Sequence, residues 1–322
     1  MPPDGHGHAE GDAHAHPHEG EAGAPAAGPG EKRMPKALQS SDPAVQQRAQ
    51  AFLKRVEMME RIKKNMDQVR HKVVVMSGKG GVGKSTVAVN LAATYVRRGR
   101  QVGLLDLDLT NPNVPKMLGC EDARIQGEAN MLLPVNAHGM RVMSTGFLSQ
   151  DPKRPIVWRG PIKIGVIQQF LGDVKWGALD YLFLDLPPGT SDEPLSVAQE
   201  IPSASGAVIV TTPQEVSLLD IKKSAGFAKS LNLRVLGIVE NMSGFRCPHC
   251  DHVTDLFKSG GGEAAARELG VPFLGRIPID ARIVVQGDAG RPFVTDHAAT
   301  EAGKAYEAVV AALDEQLDKV PR

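Results

Sequence analysis

One short run limits what this chain can fold into more than any other. Gly78-Lys79-Gly80-Gly81-Val82-Gly83-Lys84-Ser85-Thr86 follows the apolar, β-branched segment Lys72-Val73-Val74-Val75-Met76. It precedes Val87, Leu91 and Tyr95 at helical spacing, with Gly99 as the stop. A buried parallel strand, a glycine loop and a helix therefore occur in that order. The run fills the pattern G-x-x-x-x-G-K-S/T, in which backbone N–H groups turn inward onto phosphate oxygens and a Cβ would obstruct their approach. Lys84 is placed to reach β- and γ-phosphates, and the Ser85 hydroxyl to bind Mg²⁺. Lys79 is one lysine more than phosphate binding requires, and from the start of the loop it is poorly placed to curl onto its own phosphates.

The rest of the chain repeats the alternation of strand and helix. Apolar runs predict strands near 72–76, 101–106, 140–144, 180–185, 206–211, 234–240 and 271–275. Helical spacing predicts helices near 84–98, 161–172, 217–231, 261–269 and 300–318. This order implies an α/β fold, a mostly parallel twisted sheet with helices on both faces, with ligands at the carboxyl ends of the strands. The 322 residues accommodate one such domain of about 250 residues plus extensions.

Three segments are expected. Residues 1–36, rich in Gly, Ala, Pro and His, form a disordered tail holding His6, His8, His14, His16 and His18, whose H-x-H spacing suits weak metal capture. Residues 37–70 carry an amphipathic helix. Ser41-Asp42-Pro43 reads as its start, and Val45, Ala49, Phe52, Val56, Met59, Ile62, Met66 and Val69 form a stripe expected to pack on the core. Residues 71–322 form the phosphate-loop domain.

Composition excludes several classes. Basic and acidic residues balance at 37 each, which gives no ground for a nucleic-acid or membrane partner. No apolar stretch reaches the ~20 residues that span a bilayer, and no signal peptide is evident, so a cytoplasmic location is expected. Cys120, Cys247 and Cys250 are the only cysteines, too few for a disulfide scaffold.

Further acids fall at strand ends. Leu104-Leu105-Asp106-Leu107-Asp108 ends the second strand; Asp108 is the candidate for orienting an attacking water, with Asp106 supporting metal or loop. Tyr181-Leu182-Phe183-Leu184-Asp185 ends in an acid suited to Mg²⁺, and Leu186-Pro187-Pro188-Gly189-Thr190 follows as a loop able to sense the γ-phosphate. Nucleotide binding with slow hydrolysis is the expectation.

Phe245-Arg246-Cys247-Pro248-His249-Cys250 offers two thiolates where zinc or an iron–sulfur cluster takes four ligands. Two chains sharing one site on a two-fold axis would complete it. A local zinc site with His252, a redox pair without a thioredoxin unit around it, and a structural reduced pair are the alternatives. Cys120 reads as a buried small residue.

Together these residues resemble the Mrp/ApbC family of iron–sulfur cluster carriers, among the deviant-Walker ATPases that include MinD and ParA. The resemblance covers about residues 60–300. It rests on the glycine loop, Trp158-Arg159-Gly160-Pro161, Asp185 to Thr190, Asn241-Met242-Ser243 through Cys250, and Gly275-Arg276-Ile277-Pro278. It implies an ATP-dependent homodimer in which Lys79 reaches the partner's nucleotide, Cys247 and Cys250 bridge a [4Fe–4S] cluster, Asn241 contacts adenine and the backbone near Pro278 lines the base pocket. The cluster would pass to apo-proteins. The chain departs from the family at Asn111-Pro112, where Gly commonly precedes Pro, and at Ser191, a usual glycine. The contrasting readings are a MinD- or ParA-type positioning ATPase and a nickel or zinc metallochaperone. Residues 298–322 hold five acids against three bases, unlike a basic membrane anchor.

Overall fold

The computed structural model describes residues 42–129, 131–148, 160–214, 217–247, 249–250 and 252–320. The histidine-bearing tail, Ser41, Trp158, Arg159 and Pro248 lie outside them. The chain divides into two compact units, Met1–Leu53 and Lys54–Arg322. Of the first, the structure describes the opening turns of one helix, α1 (Pro43–Met66), where the Asp42 carboxylate accepts from the Ala44 amide at 2.8 Å. Within this chain the stripe on α1 is buried at its end. Val45, Phe52, Val56 and Met59 are exposed, whereas Ile62 and Met66 are buried. Asn65 there donates to the Leu171 and Val174 carbonyls at 2.7 and 2.8 Å. The helix stops at Met66 rather than 69 because Val69 already pairs with Leu179 in the sheet.

The second unit continues with β1 (Val69–Met76), α2 (Lys84–Arg97), β2 (Val102–Asp106), α3 (Val114–Met117), β3 (Gln126–Glu128), β4 (Met131–Leu133), β5 (Val135–Ala137) and β6 (Met140–Met143). Then come α4 (Gly160–Gly172), β7 (Leu179–Asp185), α5 (Asp192–Gln199), β8 (Gly206–Thr211), α6 (Ser217–Ser230), β9 (Val235–Arg246) and β10 (Val253–Thr254). It closes with α7 (Gly261–Leu269), β11 (Phe273–Ile279), α8 (Ala281–Asp288), α9 (Phe293–His297) and α10 (Glu301–Leu317). Every expected strand and helix is present. The short α3, α5, α8 and α9, and β3, β4, β5 and β10, add to the expected elements: these helices have at most eight residues and these strands at most three, too few periods to register.

The main sheet runs β10-β9-β8-β1-β7-β2-β6-β5, with β11 also on β9. Pairings among β6, β2, β7, β1, β8, β9 and β11 are all parallel; β5 and β10 are antiparallel edges. Right-handed crossovers then fix the layers. The β1-to-β2 connection runs one way along the sheet and carries α2, against which α9 and α10 pack. The connections β6-to-β7, β7-to-β8 and β8-to-β9 run the other way and put α4, α5 and α6 on the opposite face. Strand order reverses beside β1, so its carboxyl end opens onto the crevice where ligands of such sheets bind. The glycine loop starts there. The central strands are buried on both sides, with Val73, Val74, Val75, Leu104, Leu105, Leu182, Phe183, Leu184, Val208 and Ile209 fully inside.

Candidate functional site

The loop from Gly78 to Gly83 joins β1 to α2 and aims its residues at the sheet's carboxyl edge. Val82 is buried and Gly83 sits at φ +80°, a left-handed conformation that also leaves no room for a Cβ, which would fall 2.3 Å from the Asn241 amide. Gly78, Gly80 and Gly81 complete the turn, and Lys84, Ser85 and Thr86 open α2. The Asp185 carboxylate, at the end of β7, takes the Lys84 ammonium on Oδ1 and the Ser85 hydroxyl on Oδ2, both at 2.5 Å. Lys84 and Asp185 are 7% and 1% exposed, so the pair is a desolvated, charge-assisted one.

Asp106 is the register partner of Asp185 across β2 and β7. Two buried carboxylates this close resist ionising together, and burial with Asp185 nearby pushes Asp106 up to about 8. Burial raises Asp185 as well. The Asp106 carboxylate accepts from the amides of Asp108 at 3.1 Å and Val114 at 3.3 Å and from Ser144 Oγ at 3.1 Å. These bonds hold the loop that follows β2. Asp108 Oδ1 accepts the amides of Thr110 and Asn111, at 3.3 and 2.9 Å. On the neighbouring loop, Gly189 N donates to Ser77 O at 2.9 Å, and Ser191 precedes α5 in extended conformation.

Lys79 leaves the loop sideways. Its Nζ donates to Ser217 Oγ at 3.0 Å and lies 3.8 Å from Asp220, both on α6 of the same chain. Ser217 in turn shares a hydrogen bond with Thr212 Oγ1 at 3.1 Å. Sequence reasoning missed these partners, since nothing in the spacing of Ser217 or Asp220 marks them.

Asn241 and Pro278 come together through β-pairing: Ile277 is opposite Asn241, so Pro278 follows directly beside it. Asn241 Nδ2 donates to the Val82 carbonyl at 2.9 Å, tying β9 to the phosphate loop. Between Ile277 and Ile279 on β11, β9 advances from Asn241 to Phe245, a bulge built on the positive φ of Met242 and Gly244. Glu240 anchors this departure. It is fully buried, and its carboxylate accepts from Ser243 Oγ at 2.6 Å, Gly260 N at 3.0 Å and Gly262 N at 2.5 Å, with Arg276 Nε at 3.3 Å. It too was missed, although an acid after the apolar run Val235–Val239 is a readable signal.

Beyond Glu240, β9 has outrun β8, whose last paired residue is Thr211. The extension ends at Cys247, whose amide donates to the His252 carbonyl at 2.9 Å, and β10 turns back beside Arg246 and Phe245. Cys247 is half-buried and Cys250 exposed. Among the described residues no three His, Cys, Asp or Glu side chains gather as a metal site. Cys120 is half-buried elsewhere, its thiol pushed up to about 11 by burial and by Glu121.

Residues 68–314 match the NUBPL iron-transfer P-loop NTPase family of ParA type. The chain belongs to that family. Membership of this NTPase family makes it a nucleotide-binding protein with the fold of the P-loop ATPases. It is 55% identical over 235 residues to the iron-sulfur cluster carrier protein of Methanocaldococcus jannaschii, covering 73% of this chain and 81% of the relative. It is 46% identical over 237 residues to the cytosolic Fe-S cluster assembly factor NUBP2 of Bos taurus, covering 72% and 88%. Among solved structures it resembles a nucleotide-binding protein of Archaeoglobus fulgidus in complex with ADP, with a TM-score of 0.66 and 42% identity over 73% of this chain and 92% of that one. The cell division ATPase MinD of Pyrococcus furiosus shares the fold at a TM-score of 0.56 and 25% identity, over 76% and 99%. No described helix is long and apolar enough to cross a membrane.

Proposed function

We propose that this chain is an ATP-hydrolysing iron–sulfur cluster carrier that works as a homodimer, binds a [4Fe–4S] cluster as cargo between two copies of Cys247 and Cys250, and delivers it to cytosolic apo-proteins. The observation that carries this reading is that one strand, β9, touches the phosphate loop through Asn241 and ends at Arg246, directly before Cys247. The relatives named as cluster carriers and cluster assembly factors support it over a positioning ATPase.

The residues present fit Mg²⁺–ATP. Ser85 Oγ and Asp185 Oδ2 are hard oxygen donors joined by a hydrogen bond of 2.5 Å and would be the pair to hold an ion that prefers oxygen. Bound Mg²⁺ would neutralise charge on the phosphates. Lys84 would leave Asp185 Oδ1 for the β- and γ-phosphates, and the amides of Gly80, Gly81 and Gly83 would cradle them. Asp108 Oδ1 is engaged by its own loop, leaving Oδ2 to orient the attacking water. Asn241 and the backbone at Pro278 would hold the adenine. Lys79, released from Ser217 and Asp220, would complete the partner's phosphate site.

Each protomer supplies two thiolates of the four that a cluster takes, and a two-fold axis supplies the rest. Nucleotide that favours one dimer geometry then biases the separation of the two pairs, which couples hydrolysis to loading or release.

Anaerobic purification with iron, sulfide and zinc counted tests the reading. About four iron and four sulfide per dimer are expected, lost in the Cys247→Ser/Cys250→Ser variant. Iron retained in that variant, or zinc in its place in the wild type, overturns it.

A further inference from the structure

At the opposite end of the sheet from the phosphate loop lies a second cavity, of about 630 Å³. Arg141 stands at the start of β6, and Lys175 and Gly177 immediately precede β7, so the cavity opens at the amino ends of these parallel strands. The volume is within the range of small-molecule sites, ~300–1,000 Å³.

Its walls are built from paired backbone. The β3–β4 hairpin closes one side, and β4 is fixed to the segment before β7 by Leu132 N to Asp173 O at 2.7 Å and Lys175 N to Leu132 O at 2.8 Å. Leu133, Pro134 and Val135 contribute an apolar surface.

Arg124, Arg141 and Lys175 line this space, and no acid is among the described lining residues. Among the described residues only Lys175 of these three has a carboxylate partner, Glu128 at 2.9 Å, and both side chains of that pair are exposed. Arg141 is held differently. Its Nη1 donates to the Trp176 carbonyl and to the Ala178 carbonyl, the latter at 3.3 Å. Gly177 makes this possible: at φ +61°, a Cβ there would come within 3.0 Å of Nη1. Arg124 Nη1 is likewise fixed by backbone, on the Glu121 and Ala123 carbonyls at 3.4 and 2.9 Å. Carbonyls orient a guanidinium without neutralising it. Two pre-oriented guanidiniums and a lysine therefore share one cavity in which, among the described residues, the one paired carboxylate is the solvent-screened Glu128.

We infer that this cavity is a binding site for a small organic dianion, a dicarboxylate or phosphate monoester whose apolar body lies on Leu133, Pro134 and Val135. Guanidinium forks match both carboxylate and phosphate. The site is separate from the nucleotide and cysteine sites and does not depend on the function proposed above.

Titration calorimetry of the full chain, saturated with Mg²⁺–ADP so that the phosphate loop is occupied, tests this with succinate and phenyl phosphate as probes. At least one should bind, with Arg141→Gln weakening it by about tenfold or more and leaving Mg²⁺–ADP affinity unchanged; which probe binds tells carboxylate from phosphate. Arg124→Gln and Lys175→Gln, at exposed or partly exposed positions, give the same readout if Arg141→Gln fails to fold. Absence of binding by both probes at millimolar concentration, or binding that survives these substitutions, overturns the inference.

Discussion

Lys79 Nζ donates to Ser217 Oγ at 3.0 Å, so the surplus lysine of the phosphate loop is moored to α6 of its own chain. Asp220 adds a half-exposed ion pair at 3.8 Å, of the kind worth at most about 1 kcal/mol. Such a mooring is easily exchanged for a phosphate. Lys79→Ala should therefore lower kcat for ATP hydrolysis by at least about tenfold while nucleotide affinity changes little. Equal losses in both would mean that Lys79 serves its own nucleotide. Ser217→Ala, which loosens the mooring, should leave hydrolysis unchanged or raise it.

Gly83 is constrained twice over. Alanine there combines a left-handed backbone with a Cβ 2.3 Å from the Asn241 amide. Gly83→Ala should abolish nucleotide binding and lower stability by roughly 2–3 kcal/mol, measured by urea denaturation. Asn241→Ala removes the hydrogen bond to Val82 without crowding, and its nucleotide affinity should fall by only about tenfold.

Glu240 has no apolar substitute. Glu240→Ala strands two buried donors, the part-buried Gly260 amide and Arg276, so the loss should be about 3 kcal/mol, or roughly 5–10 °C in Tm. Hydrogen exchange should show the added opening concentrated in β9 beyond Glu240 and in the first turn of α7 rather than across the central strands.

Cys120 should label slowly. Its thiol is pushed up to about 11, so below that pH only a small fraction is thiolate, and alkylation by iodoacetamide should speed up nearly tenfold per unit from pH 7 to 10. Exposed Cys250 should react first at pH 8. Faster labelling of Cys120 at neutral pH would show that its surroundings open in solution.

Much of this was legible in the residues. The glycine loop, the strand-end acids and the parallel order all follow from local patterns, because a parallel sheet writes each buried strand as an apolar run. What could not be read is what long-range pairing decides. Ser217 and Asp220 meet Lys79 only because α6 is brought alongside the loop. Asn241 meets Val82 because β9 sits two strands from β1. The apolar stripe of α1 is the complementary case: periodicity marks a helix face without saying what covers it.

The overrun of β9 has a mechanical meaning. Ile279 of β11 pairs with Phe245 on one edge, and β10 pairs with Phe245 and Arg246, so the segment is braced rather than loose. A braced rod turns rotation into travel. With Cys247 six residues beyond Asn241, a reach of up to roughly 20 Å, a tilt of roughly 10° at the Asn241 end sweeps the thiol through up to about 3.5 Å, longer than a metal–sulfur bond.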